Sequence, residues 1–113
     1  MADYTIGITT NSRLLTVQLE GELDADAMPE LRATLASVGR ATPPVLSFDF
    51  TRASYVGLSA IGALLVARAR AQHAQVGVIT PGAPRPFYRL MAAADRAGTF
   101  RPPAEPAYWR APT

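Results

Sequence analysis

Residues 45–65, VLSFDFTRASYVGLSAIGALL, decide the fold, because two periodicities meet inside them. Val45, Leu46, Phe48 and Phe50 make a nearly continuous apolar run, as in a central strand buried on both faces. Further on, Ile61, Leu64, Leu65 and Arg68 lie at i, i+3, i+4 and i+7, the spacing of one helix face. The stretch therefore predicts a strand over Val45–Phe50 and a helix from about Ser59 to Ala71. That helix is apolar at its start and basic at its end, as its dipole favours. Ser59 stands at the changeover. A serine there can cap the helix by accepting a hydrogen bond from an orphan N–H. The same place also suits a phosphoserine, whose ~1.5 to 2 negative charges would meet unpaired donors and the positive helix end. The residues alone leave both roles open.

Towards the N-terminus the period is two. Tyr4, Ile6 and Ile8 share one face, and so do Leu15, Val17 and Leu19. The polar "NSR" between the two runs reads as the turn of a β-hairpin. Gly21 and the acids after it end the second strand. Ala27, Leu31, Leu35 and Val38 then recur at helical spacing, with Met28 beside them. Pro29 fits only the first turn of that helix, which makes Asp26 a better N-cap than Asp24. Gly39 suits the helix end, and "ATPP" is a break.

Towards the C-terminus, "VGVIT" is a short strand and "PGAP" another break. Phe87, Leu90, Met91 and Ala94 form the buried stripe of a last helix that closes near Gly98. The order strand, strand, helix, strand, helix, strand, helix implies an α/β fold. Its mixed sheet has a hairpin and a parallel part joined by right-handed crossovers. One domain over residues 1–100 and a Pro-rich tail over 101–113 account for the chain. The tail carries Pro102, Pro103, Pro106 and Pro112, with Tyr108 and Trp109 placed to pin it to the body.

Composition removes several function classes. The chain has 113 residues and no cysteine, so disulfides, thiolate metal sites and cysteine nucleophiles are excluded. A chain of this length buries roughly 65% of its unfolded surface, enough for one core. All 11 basic residues are arginine, scattered from Arg13 to Arg110, for a net charge of +2. Nucleic-acid binding needs clustered positive charge, which is missing here. No targeting signal is visible, and the longest apolar run, Val56–Ala67, falls well short of the ~20 residues of a membrane span. A soluble cytoplasmic protein without membrane insertion is expected.

Few residues carry chemistry. His73 is the only histidine and falls at a helix end, where the dipole favours it. A hydrolase using Ser59 would need His73 as base, about four turns along the same helix and roughly 20 Å away. Asp49 reads as a carboxylate bonding local backbone rather than a catalytic one. No phosphate-cradling glycine loop exists, and no cofactor or metal is expected. Glu20, Glu22, Asp24, Asp26 and Glu30 crowd into eleven residues. They form either a solvated turn with an acidic first helical turn or a patch that faces a partner.

At three places the chain resembles the signature regions of the STAS family, which includes the bacterial anti-sigma factor antagonists. These are GELDADAMPELRATL, LSFDFTRASYVGLSAIGALLVARARA and VGVITPGAPRPFYRLMAAADRAG, and the likeness runs from about Tyr4 to Phe100. The resemblance implies a small α/β fold with helices packed mainly on one face of a mixed sheet. It also implies a non-enzymatic regulator. Such a protein binds an anti-sigma factor that is a serine kinase and frees the sigma factor. It is itself switched off by phosphorylation at the start of the helix after the central strand. The family's loop usually reads Asp-Ser-Ser-Gly or Asp-Ser-Thr-Gly, with the second hydroxyl modified. Here Ser59 matches that hydroxyl, while Gly57 replaces the aspartate, Leu58 the first hydroxyl and Ala60 the glycine. Asp49 and Gly62 match the flanking structural pattern. The resemblance thus nominates Ser59 for phosphorylation, and Gly57, Leu58, Ser59, Ala60, Asp24 and Asp26 for partner contact. A second implication is the cytoplasmic accessory subunit of a lipid-handling ABC transporter, which stand-alone STAS domains also resemble.

Overall fold

In the computed structural model, which describes residues 3–41 and 43–97, the alternating N-terminal runs form the hairpin β1 (Tyr4–Thr10) and β2 (Leu14–Leu23). The strands pair antiparallel, with Ile6 opposite Leu19 and Ile8 opposite Val17. Asn11 holds the turn: its Oδ1 accepts from the N–H of Arg13 at 3.2 Å and of Leu14 at 3.0 Å.

β2 does not stop at Gly21, as the sequence reading expected, but continues to Leu23. Gly21 has φ +78, and its register against the next strand shifts between Gly21 and Glu22. A Cβ at Gly21 would run into the carbonyl oxygen of Asp3, and that carbonyl accepts the Glu22 N–H at 2.8 Å. The glycine is therefore a bulge inside the strand, not its terminator.

The first helix also begins differently. A 3-10 turn over Ala25–Ala27 precedes α1 (Met28–Ala41), and Asp24 is the residue that enters that turn. Asp26 lies inside the turn and is not the N-cap. Pro29 sits second in α1, where its missing N–H costs no bond. Met28, Leu31, Leu35 and Val38 are buried, as their spacing predicts.

The central strand, β3, runs from Val45 to Val56, well beyond Phe50. Its second half is mostly exposed, so it lacks the apolar run that marks the first half. α2 follows at Leu58–His73, then the short β4 (Gly77–Ile79) and α3 (Arg85–Ala97). The sheet order is β1-β2-β3-β4, with β3 parallel to both of its neighbours. β3 is thus interior to the sheet.

Burial alternates along the strands. Leu15, Val17 and Leu19 of β2 and Leu46, Phe48 and Phe50 of β3 are buried, with Leu15 paired to Leu46 and Val17 to Phe48. They meet Leu31, Ile61, Leu64 and Phe87 from the helices in one core. Each large apolar side chain so buried contributes about 1.5–3 kcal/mol. The opposite sheet face carries Thr16 beside Ser47 and Gln18 beside Asp49. The helices cover one face, and β3 is apolar-covered on that face rather than on both.

α3 docks through Phe87, whose ring lies 5.2 Å from that of Phe50 at 53°. Met91 packs against the core, but Leu90 is 45% exposed, against expectation. The contact stripe of α3 is tilted towards Met91 and Asp95, the latter bonded to Arg68 of α2, so Leu90 falls on the open flank. The tail 101–113, with Tyr108 and Trp109, lies outside the described residues, as does Gly98.

Candidate functional site

β2 and β3 run parallel and end together, Leu23 beside Val56. The N–H of Gly57 donates to the carbonyl of Leu23 at 2.8 Å, which carries the pairing one residue past the strand. α2 then starts at Leu58 with Gly57 as its N-cap, and Ile61 donates back to the Gly57 carbonyl at 3.0 Å. Ser59 is therefore the second residue of the helix and not its cap. Its neighbour in the cap position has no side chain, and no side-chain cap bond is made.

The consequences are chemical. Ser59 is exposed, and its hydroxyl makes no hydrogen bond among the described residues. The first turn of α2 holds no acid, while its last turn holds Arg70 and His73. The positive helix end at Ser59 is thus unneutralised by the helix's own side chains. A carboxylate approaches the cap from just beyond β2: a Cβ on Gly57 would stand 3.3 Å from Asp24 Oδ1 and 3.7 Å from the Tyr55 ring. Asp24, Tyr55, Leu58 and Ser59 consequently surround the glycine. Leu58 is 77% exposed and Tyr55 53%, so two large side chains close to Ser59 in sequence are left open to water.

Of the residues nominated from sequence, Gly57, Leu58, Ser59 and Asp24 gather here. Ala60 is adjacent in chain but its side chain is fully buried in the core. Its contribution is to seat the first turn of α2 rather than to present a surface. Asp26 is exposed on the 3-10 turn, next but one to Asp24. Asp49 is elsewhere, roughly 26 Å up β3 from Gly57 at ~3.3 Å per residue. Its Oδ1 accepts from the Thr51 hydroxyl at 2.6 Å and the Thr51 N–H at 2.9 Å. Those bonds hold its carboxyl below the ordinary aspartate value. The expected local backbone bond is there, in mid-strand rather than at a strand end.

Tyr55 carries no signal in the sequence, because the exposed second half of β3 lacks an apolar period. A second feature was hidden too. From Ser59 a groove of about 470 Å³ runs between α1 and α2, with Gly62, Ala63 and Val66 on one wall and Arg32, Leu35 and Ala36 on the other. Arg70 lies along it as well. Gly62 opens it, since a Cβ there would have nothing within 4 Å. The signal was available: Ser59, Gly62, Ala63, Val66 and Arg70 share one helical face. Among the described residues no group of three or more acidic or histidine side chains could hold a metal ion. No helix among them is long and apolar enough to cross a membrane.

Fold and site together define a STAS domain. The chain belongs to the STAS_2 family, whose model, "Mlab, STAS domain", matches residues 6–100. It is similar in structure to an anti-sigma factor antagonist from Mycobacterium paratuberculosis, with TM-score 0.67 and 20% identity over 82% of this chain and 81% of that one. It is also similar to the Bacillus cell-fate determinant SpoIIAA in its phosphorylated form, with TM-score 0.68 and 17% identity over 83% and 86% of the two chains. Unphosphorylated SpoIIAA, an anti-sigma factor antagonist, aligns at TM-score 0.63 and 21% identity over 84% of this chain and 99% of its own. At such identities the likeness is one of fold. No curated protein matches the sequence significantly.

Proposed function

We propose that this chain is a cytoplasmic regulatory interaction domain of the anti-sigma factor antagonist kind. It docks a serine-kinase anti-sigma factor through the surface of Asp24, Tyr55, Leu58 and Ser59. The observation that carries the reading is the Ser59 hydroxyl, exposed and unbonded in the first turn of α2. A phosphate there would be welcome to the helix, because the dipole and uncapped N–H groups favour an anion. It would be unwelcome to a partner pressed against Leu58, because a dianion must be desolvated. That pair of effects makes a switch of binding that leaves folding intact. The phosphorylated fold relative, SpoIIAA, supports the same reading.

A second reading has its own observation. Leu58 stands where the family pattern has a hydroxyl, and its 77% exposure offers a permanent apolar contact. That suits constitutive bracing of an ATPase, as in the accessory subunit of a lipid-handling transporter. Capture with the full chain and its Ser59→Asp and Leu58→Ser variants separates the two. A kinase lost with Ser59→Asp supports the switch; an ATPase lost only with Leu58→Ser supports bracing. Incubation with the captured kinase and ATP, read by intact mass, tests the modification. A kinase that binds yet adds no phosphate to Ser59 overturns the acceptor role.

A further inference from the structure

An ordinary surface helix turns polar residues outward, and α2 does not. Ala60, Ile61, Leu64 and Ala71 face the core, yet the opposite side presents Gly62, Ala63 and Val66 to the groove against α1. The floor is therefore apolar on both walls. The flanks are cationic: Arg32 and Arg70 line the groove, and no carboxylate does. Neither arginine has an ion-pair partner among the described residues. The Nε of Arg70 is buried and has no hydrogen-bond acceptor among the described residues. Two residues earlier on the same helix, Arg68 has its acid in Asp95. The Arg70 side chain is only partly buried, and a guanidinium without its own acid can take a carboxylate brought by an occupant.

We infer that the α1–α2 groove receives an acidic amphipathic helix of the partner protein, its apolar stripe over Gly62, Ala63 and Val66 and its carboxylates on Arg32 and Arg70. This rests on the docking reading above, since Ser59 closes one end of the same groove. Length fits the occupant: from Ser59 to Arg70 is about 16 Å, or three turns of helix, at ~1.5 Å per residue. Small side chains at 62 and 63 let a helix backbone come close, and helix-in-groove docking uses anchors at i, i+3 and i+4. Charge fits too, because a guanidinium takes a carboxylate through paired bonds. An acyl chain fits worse, since lipid-sized ligands bind where most of their surface is enclosed, and this trough is partly open to solvent.

The test uses the full chain and two synthetic helical peptides. One has a leucine and alanine stripe flanked by glutamates; the other has lysine for every glutamate. The glutamate peptide is expected to shift the amide resonances of Ser59, Gly62, Ala63 and Val66, and the lysine peptide is expected to shift none. Arg32→Glu with Arg70→Glu should weaken the glutamate peptide about tenfold or more, because it sets like charge against like across the interface. Gly62→Leu should block it while leaving the melting temperature equal or higher, because the new side chain enters open space. No shift, shifts indifferent to these variants, or anionic vesicles engaging these residues in place of the peptide would each overturn the inference. Kinase capture keeps the two readings apart. A kinase lost with Ser59→Asp but retained by the double arginine variant removes the groove helix and leaves the Ser59 surface standing. Failure to capture any kinase removes the antagonist reading, while the peptide result still decides the groove.

Discussion

Arg68 of α2 and Asp95 of α3 face each other through two parallel bonds, Nη1 to Oδ1 at 3.1 Å and Nη2 to Oδ2 at 3.0 Å. The two ends are unequally wet: the Arg68 side chain is 13% exposed and that of Asp95 55%. Breaking the pair from either side therefore differs. Asp95→Asn leaves a largely buried cation short of its acid and is expected to cost about 1–2 kcal/mol. Arg68→Met keeps the apolar stem and leaves an acid that water can solvate, so it is expected to cost less, within about 1 kcal/mol. Urea unfolding of both variants checks the order, and the reverse order would show that α3 is held by Phe87 alone.

Acid should loosen the same contact. The Arg68 hydrogen bonds hold the Asp95 carboxyl below its ordinary value of 3.8, and the Thr51 bonds hold Asp49 below it likewise. A group lowered in the folded state stabilises the fold fully above the unfolded value and loses that stability as pH falls through the folded one. Stability should accordingly be flat near neutrality on account of these two acids and decline below about pH 4. Asp95→Asn and Thr51→Val should each flatten the decline, read as unfolding midpoints between pH 5 and 2. An undiminished slope in both variants would assign acid unfolding to other carboxylates.

Two glycines should respond oppositely to alanine. Gly62 lies inside α2 with open space where a Cβ would go, so Gly62→Ala is expected to stabilise by about 0.5–1 kcal/mol. Gly21 has φ +78 and the Asp3 carbonyl in the way, so Gly21→Ala is expected to cost more than about 1 kcal/mol. Thermal melts decide it. Destabilisation by Gly62→Ala would mean that the groove is narrower than its walls indicate.

What the sequence disclosed and withheld follows from which residues have a buried face. Leu15, Val17, Leu19 and the Leu31–Leu35–Val38 stripe announce their elements because burial forces the period. Thr51–Val56 did not, since that half of β3 is held by backbone pairing to Glu20–Leu23 and leaves most side chains in water. Leu90 is the complementary case: it keeps the helical period of the stripe of Phe87 and Met91 yet lies on its exposed flank. Ser59 was located to within one residue, but its freedom from capping was not legible, because Gly57 can serve as N-cap with no side chain to signal it. The nearness of Asp24 to Gly57 was likewise invisible, being a product of the Leu23–Val56 register.

That nearness governs what happens when the family's aspartate is restored. A Cβ at position 57 would stand 3.3 Å from Asp24 Oδ1 and 3.3 Å from the Leu23 carbonyl, both oxygens. In isolation aspartate is a better N-cap than glycine by a few tenths of a kcal/mol. Beside Asp24 it meets like charge in a tight space, so Gly57→Asp is expected to destabilise by about 1 kcal/mol at low salt. Asp24→Asn removes the repulsion but keeps the shape, and Gly57→Asp made on that background should be neutral or stabilising. The difference between the two backgrounds is the coupling, and since Asp24 is exposed it should shrink in high salt. Denaturant unfolding of the four proteins at low and high salt measures it. Equal effects of Gly57→Asp in both backgrounds would show that crowding by the Leu23 carbonyl, not charge, is what this chain avoids by having glycine there. Adding Leu58→Ser to the two Gly57→Asp proteins extends the comparison to Ser59. Leu58 cannot orient a hydroxyl, and a glycine loosens the loop that presents it, so the native chain should be phosphorylated more slowly than Gly57→Asp with Leu58→Ser. If Asp24 crowds that aspartate out of place, the gain in rate appears only when Asp24→Asn is added, and intact-mass time courses with the kinase read the order directly.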